Sequence, residues 1–218
     1  MRRVQIIGKD QSFNLGKIVC IGRNYADHIR ELGNEVPDQP IFFMKPASSV
    51  IGEGEEIVIP NYSQECHHEV ELAVLIGRTT KGISAAKAMS AVAGYGVAID
   101  LTLRDVQSRQ KSLGLPWEIA KGFDTACPLS AFVAAETVRD PQDLSISLTV
   151  NGEIRQNAST ALMLRPIPQL IAEISVIFTL EPGDIILTGT PAGVSRLQSG
   201  DQVTAVIKEV GSLHVTVA

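Results

Sequence analysis

No stretch of this sequence is long and apolar enough to cross a bilayer. The longest runs, Ala73 to Gly77 and Ile174 to Leu180, fall far short of the roughly 20 residues a spanning helix needs. Cysteine is scarce as well. Cys20, Cys66 and Cys127 are odd in number, widely separated and in no paired spacing, which fits neither a disulfide framework nor a zinc ribbon. They read as buried thiols in a reducing, cytoplasmic setting. Basic clusters are missing and the formal net charge is -5, which argues against a nucleic-acid partner, whose phosphates need grouped Lys and Arg. Arg2 and Arg3 are followed by Val4, Gln5, Ile6, Ile7, Gly8 and Lys9, with no apolar signal-peptide core, so export is not expected. No repeat, low-complexity tract or long linker divides the chain.

What is present suits one substantial core, with 218 residues of which 44% are hydrophobic and 20% charged. Residues 1–15 read as a short amino-terminal extension and 16–218 as the main domain. Short apolar runs between turn residues predict strands at Ile18–Gly22, Ile41–Met44, Glu69–Ile76, Tyr95–Ile99, Ser145–Val150, Asp184–Leu187 and Gln202–Ile207. Asn151-Gly152 after the alternating Leu144, Ile146, Leu148 and Val150 predicts a hairpin with a two-residue turn. Helices are expected at Tyr25–Leu32, Ala85–Ala93, Leu103–Leu113 and Ile167–Phe178, the third capped by Thr102 and stopped by Gly114. The class is therefore α+β and β-rich. A doubly wound parallel fold would need helices between most strands.

The sharpest local feature is His67-His68-Glu69-Val70-Glu71, at the head of an apolar strand. Alternate strand residues share a face, so Glu69 and Glu71 project together, roughly 7 Å apart at Cα, and can converge on one cation. A solvated strand edge is the plainer reading. Asp100 ends the apolar run Gly94 to Ile99, where an unpaired buried charge would be costly, and a shared cation would satisfy it. Three carboxylates without sulfur favour Mg²⁺ or Mn²⁺, with Ca²⁺ as a further candidate. Neither histidine is taken as a ligand.

Gly22-Arg23-Asn24-Tyr25, His67-His68-Glu69-x-Glu71, Asp100-Leu101-Thr102-x-Arg104-Asp105-x-Gln107, Lys121-Gly122-Phe123-Asp124 and Thr188-Gly189-Thr190-Pro191-x-Gly193-Val194 together resemble the fumarylacetoacetate hydrolase family. The nearest likeness is to its short acylpyruvate hydrolase and oxaloacetate decarboxylase branch. That resemblance implies a mixed β-sandwich roll, a homodimer, and a metal triad at Glu69, Glu71 and Asp100. It also implies a catalytic His28-Glu31 pair with Lys121, and substrate contacts at Arg104, Gln107, Thr190, Lys45 and Arg23. Ser195 departs from it, since the family commonly continues Gly-Val-Gly there and Gly tolerates positive φ.

Each block also has a plainer reading. His28 and Glu31 stand three apart, neighbours on a short helix that needs docking to persist, and form either a pocket-facing pair or a solvated face. Arg104 and Gln107 either line a pocket or serve a surface ion pair. Lys121, in an apolar setting, either meets an anion or snorkels to the surface. Gly189 to Gly193 offers a hydroxyl and backbone amides to a carboxylate, or is a strand-end turn; it lacks the endings of a phosphate or dinucleotide loop.

With a divalent cation, such a site suits a small 2-oxo acid. The resemblance implies hydrolysis of an acylpyruvate to pyruvate and a carboxylic acid, or decarboxylation of oxaloacetate through a metal-bound pyruvate enolate. Keto-enol tautomerisation and a 2-hydroxymuconate-type isomerase or decarboxylase are alternatives. A non-catalytic β-module holding Ca²⁺ is the alternative of another class.

Overall fold

The run from Val70 to Ile76 is apolar at every position but Glu71, and in the computed structural model, which describes residues 2–218, it forms a strand with all seven residues buried. Its two faces enter different cores. Val70, Leu72, Val74 and Ile76 join the larger hydrophobic cluster, while Ala73 and Leu75 join a smaller one. A strand covered on both sides needs apolar residues throughout, which is why it reads as a run and not as an alternation.

This strand is central in a six-stranded sheet. The order is Val133–Ala134, Val92–Ile99, Val70–Ile76, Ile185–Leu187, Ile18–Gly22 and Ile41–Lys45. The sheet is mixed, because Ile185–Leu187 runs antiparallel to Val70–Ile76 and parallel to Ile18–Gly22. A second sheet orders Glu153–Ser159, Ser145–Val150, Gln202–Ile207, Gly211–Val217 and Glu56–Ile57. Ile146, Leu148, Val203, Ala205, Leu213 and Val215 of this second sheet enter the larger cluster, so the sheets pack face to face across it. The expected β-rich α+β sandwich is present.

Asn151 and Gly152 both have positive φ, 53° and 81°, as a primed two-residue turn demands. The helix Ile167–Ile177 buries Ile167, Leu170, Ile171 and Ile174, spaced on one face, against the larger cluster. Each such side chain contributes about 1.5–3 kcal/mol by leaving water. The amino-terminal strands Arg3–Gln5 and Ser12–Asn14 pair antiparallel, and Val4 and Ile6 enter the smaller cluster.

Two expectations need correction. The helix expected over Ala85–Ala93 is α-helical only at Ala85–Ala88, turns 3-10 over Met89–Ala91, and gives way at Val92 to a strand. Pairing of Val92 with Ile76 in the sheet overrides local helix preference there. Thr102 does not cap the next helix. It pairs with His67 in a short antiparallel strand, and its hydroxyl donates to Asp100 O at 3.3 Å. Leu103 takes the capping position, and Gly114 with φ 66° follows the helix end as expected. No helix of the described residues is long and apolar enough to cross a membrane.

Candidate metal centre and pocket

The antiparallel register of the two central strands assembles the carboxylates. Val70 pairs with Ile99, so one step beyond the ladder Glu69 faces Asp100, and Asp100 N donates to Glu69 O at 2.8 Å. Glu71 lies on the same face as Glu69 because strand side chains alternate. Carboxylate oxygens from all three residues lie within 4.8 Å of one another, and all three residues are buried.

Three cations oppose them. Lys121 Nζ donates to Glu69 Oε2 at 2.9 Å and to Asp100 Oδ2 at 2.7 Å, and the Arg104 guanidinium bonds Glu69 Oε1. Lys45 Nζ is 2.8 Å from Asp100 Oδ1, a charge contact whose angles do not make a hydrogen bond. Burial alone would raise the Glu69 carboxyl, but Lys121 and Arg104 outweigh it and hold the group below the usual carboxylate range. Lys121 is likewise held charged: burial would lower its pKa, and Asp100 and Glu69 raise it instead.

Glu71 is different. It is 1% exposed, it accepts a hydrogen bond from Gly189 N at 2.7 Å, and burial together with Asp100 and Glu69 pushes its carboxyl well up. Among the described residues, Asp100 Oδ1, also buried, has no hydrogen-bond donor, its nearest cation being the misaligned Lys45 ammonium at 2.8 Å. A buried carboxylate crowded by two others, next to an oxygen that accepts no well-aligned hydrogen bond, is the environment a hard divalent cation fits. Glu69, Glu71 and Asp100 are the residues that would hold it.

These groups open into a cavity of about 240 Å³. His28 lines it from the helix Ala26–Glu31, and Arg104 and Gln107 line it from the helix Arg104–Ser112, joined to each other by a 2.8 Å hydrogen bond. His28 is 6% exposed, and burial lowers its pKa against the opposing pull of Glu69, which favours the neutral ring. Its Nδ1 is 3.5 Å from Glu31 Oε2, too long for a good hydrogen bond. Glu31 in turn accepts from Gly193 N at 3.1 and 3.2 Å, so the short helix is docked on the loop that also serves Glu71.

The remaining expected contacts fall in three places. Arg23 lines the pocket wall, with φ of 62°. Thr190 lines it too, but its hydroxyl already donates to Val70 O at 2.8 Å and accepts from Gln156 Nε2 at 2.8 Å. Lys45 sits behind the carboxylates with its side chain fully buried, bonded to the carbonyls of Leu101 (3.2 Å), Lys121 and Ala126 (2.9 Å). The backbone amides at Gly189 and Gly193 serve the protein's own Glu71 and Glu31.

Ser195 is not among the positive-φ residues, so the loop needs no glycine there, and its hydroxyl meets His68 Nε2 at 2.9 Å. The other ring nitrogen of His68 meets Gln156 Oε1 at 3.1 Å. Sequence reasoning missed Gln156, because a regular two-residue hairpin would set Arg155 opposite the buried Leu148 and only a register shift between Leu148 and Thr149 brings Gln156 there. It also missed Asn24, whose side chain ties Thr188 O at 2.8 Å to Arg165.

The fumarylacetoacetate (FAA) hydrolase C-terminal family model matches residues 17–218. The chain is 52% identical over 193 residues to oxaloacetate tautomerase YcgM of Escherichia coli, covering 88% of each. It is 48% identical over 200 residues to the mitochondrial oxaloacetate tautomerase FAHD1 of Bos taurus, covering 92% of this chain and 90% of that one. Among solved structures, a fumarylpyruvate hydrolase from Pseudomonas aeruginosa in complex with Mn²⁺ and pyruvate superposes with a TM-score of 0.95 at 36% identity, covering 100% of this chain and 95% of that one.

Proposed function

The chain belongs to the fumarylacetoacetate hydrolase family, and from that premise we propose that it is a divalent-metal-dependent enzyme whose shared chemistry is the enolisation of small 2-oxo acids. One observation carries this reading. Three buried carboxylates are matched by Lys45, Lys121 and Arg104, so a divalent ion leaves the centre with a net charge of +2. The enolate of a 2-oxo acid, a carboxylate beside an enolate oxygen, carries the complementary charge. Mg²⁺ and Mn²⁺ suit an all-oxygen donor set, and the ion when bound supplies Lewis acidity to the 2-oxo carboxylate group.

The least demanding reaction here is keto-enol tautomerisation of oxaloacetate, the activity that the relatives named above carry. It needs one base and no water. Neutral His28 takes a proton from C3, Lys121 and Arg104 stabilise the negative oxygen, and the proton returns to that oxygen. Decarboxylation would instead give the enolate of pyruvate, by loss of carbon dioxide from C4 with its bonding electron pair left on C3.

The second reading is hydrolysis of an acylpyruvate, favoured by Glu31 beside His28. His28 takes a proton from water, the hydroxide attacks the distal carbonyl, and the carbon-carbon bond breaks with its electron pair passing to pyruvate enolate, which is then protonated. A homodimer and a cytoplasmic location belong to the same proposal. The free, buried Cys20, Cys66 and Cys127 support a reducing compartment, and light scattering at twice the chain mass tests the dimer.

The deciding assay follows oxaloacetate enol absorbance, carbon dioxide and pyruvate release over a panel of acylpyruvates, with Mn²⁺ and after chelation. Metal-dependent acceleration of at least one reaction is expected. Rates equal to buffer for every substrate would overturn the proposal.

A further inference from the structure

Beside Glu69 and Glu71 the six-stranded sheet runs out of backbone, and side chains complete the ladder. The strand Ile185–Leu187 covers the edge of Val70–Ile76 only as far as Ala73, with one further bond from Thr188 N to Leu72 O at 3.2 Å. Val70, the residue between the two glutamates, is paired differently. Its N–H donates to Gln156 Oε1 at 3.0 Å, and its carbonyl accepts from Thr190 Oγ1 at 2.8 Å. Gln156 reaches this edge from the second sheet, turned inward by the register shift between Leu148 and Thr149.

The Gln156 side chain is fully buried, and its amide is fully engaged. Oε1 accepts from Val70 N and meets His68 Nδ1 at 3.1 Å, while Nε2 donates to Thr190 Oγ1 and to Pro191 O, both at 2.8 Å. The amide has only one workable orientation. A backbone N–H can only donate and a backbone carbonyl can only accept, so a flipped amide would set donor against donor at Val70 and acceptor against acceptor at Pro191. This fixes the Thr190 hydroxyl in turn. A hydroxyl has one proton and two lone pairs. One lone pair takes the Gln156 N–H and the proton goes to Val70 O, so one lone pair is left. Thr190 lines the same cavity as His28, Arg104 and Lys121. Toward that cavity its hydroxyl can accept a hydrogen bond and has no proton to give.

We propose that Gln156 is a positioning residue that acts through Thr190, holding its hydroxyl so that an oxygen lone pair faces the pocket and accepts the O–H of a bound enol. The inference rests on the enolisation reading of the site. A keto oxygen has no proton to offer, whereas the enol hydroxyl has one, so the bond forms with one tautomer only. It favours the bound enol by about threefold to tenfold, the net worth of one neutral hydrogen bond.

The test uses Mn²⁺-loaded protein in excess over oxaloacetate, so that enol absorbance at equilibrium reads the tautomer ratio of the bound acid. The bound ratio of enol to keto form is expected to exceed that of free oxaloacetate. Thr190→Val and Gln156→Met should each lower it about threefold to tenfold, and the double variant should lower it no further than Thr190→Val alone, because the same bond is lost in each. If circular dichroism shows Gln156→Met unfolded, Gln156→Glu, which has the same shape without the amide donors, carries the same expectation. A bound ratio equal to that of free oxaloacetate, a ratio that the Gln156 variant leaves unmoved, or losses that multiply in the double variant would each overturn the role of Gln156 alone. Failure of the unmodified protein to bind oxaloacetate would overturn the enolisation reading as well.

Discussion

Replacing Lys45 with Met separates a structural counterion from a substrate contact. Its ammonium is fully buried, faces Asp100 Oδ1 at 2.8 Å, and bonds the carbonyls of Leu101, Lys121 and Ala126. Methionine keeps most of the volume and removes the charge. Breaking a buried ion pair from one side costs about 3–5 kcal/mol, and the lower part of that range applies because Lys121 still bonds Asp100 Oδ2 at 2.7 Å. Carbonyls stripped of their donor add about 1–2 kcal/mol. A total of about 4–6 kcal/mol is a large share of the roughly 5–15 kcal/mol that holds a typical domain. At about 2–4 °C per kcal/mol for a chain of this length, Tm should fall by about 10–20 °C. Thermal unfolding without metal measures it. Mn²⁺ should then raise Tm more in Lys45→Met than in the unmodified protein, since the ion replaces the missing charge. A fall below about 3 °C, with the same Mn²⁺ response in both proteins, would refute the counterion role.

Other perturbations probe the surroundings. His28→Ala should lower acylpyruvate hydrolysis by about two to four orders of magnitude and oxaloacetate decarboxylation less, because only the former needs an activated water; equal losses would point to pocket closure by the helix instead. Gly189→Ala should cost stability and loosen Glu71, since the position has φ of 93° and an added Cβ would sit 2.7 Å from Asn24 Cβ; an unchanged Tm would contradict this. The buried His68 titrates at about 4, below its ordinary 6.5, because burial disfavours the charged ring. The unfolded chain therefore binds this proton at higher pH than the native chain. Its contribution is complete above pH 6.5 and declines towards pH 4, by about 3 kcal/mol in all. Urea midpoints at pH 7.5 and 5 should differ accordingly, and His68→Gln should flatten the difference.

Much of this was legible because it is written in local pattern. The strands at Ile18–Gly22 and Ser145–Val150 coincide with their apolar runs, and the Asn151-Gly152 turn follows from backbone preference alone. Glu69 and Glu71 were readable from the strand period, while the arrival of Asp100 beside them depends on the register of two strands. What stayed hidden is tertiary. The short strands Val50–Ile51, Cys66–His67 and Thr102–Leu103 have too few residues to show a period. Leu213, Val215 and Val217 do alternate with polar residues, so the strand Gly211–Val217 has a local signal although it is not among the expected elements. The resemblance implies Lys45 as a substrate contact, and only packing reveals that it faces Asp100 from behind. Gln156 carries no local signal either, since its convergence with Val70 and Thr190 joins three separate segments.

The central claim is that Glu69, Glu71 and Asp100 hold a catalytic divalent ion. Calorimetric titration of Mn²⁺ into the unmodified protein and into Glu71→Gln, with circular dichroism to confirm the fold, tests it most directly. One ion per chain should bind the unmodified protein, and loss of a charged ligand should weaken it by at least about tenfold, with activity falling in parallel. Folded Glu71→Gln with the original affinity and activity would contradict the account and place the ion, if there is one, elsewhere.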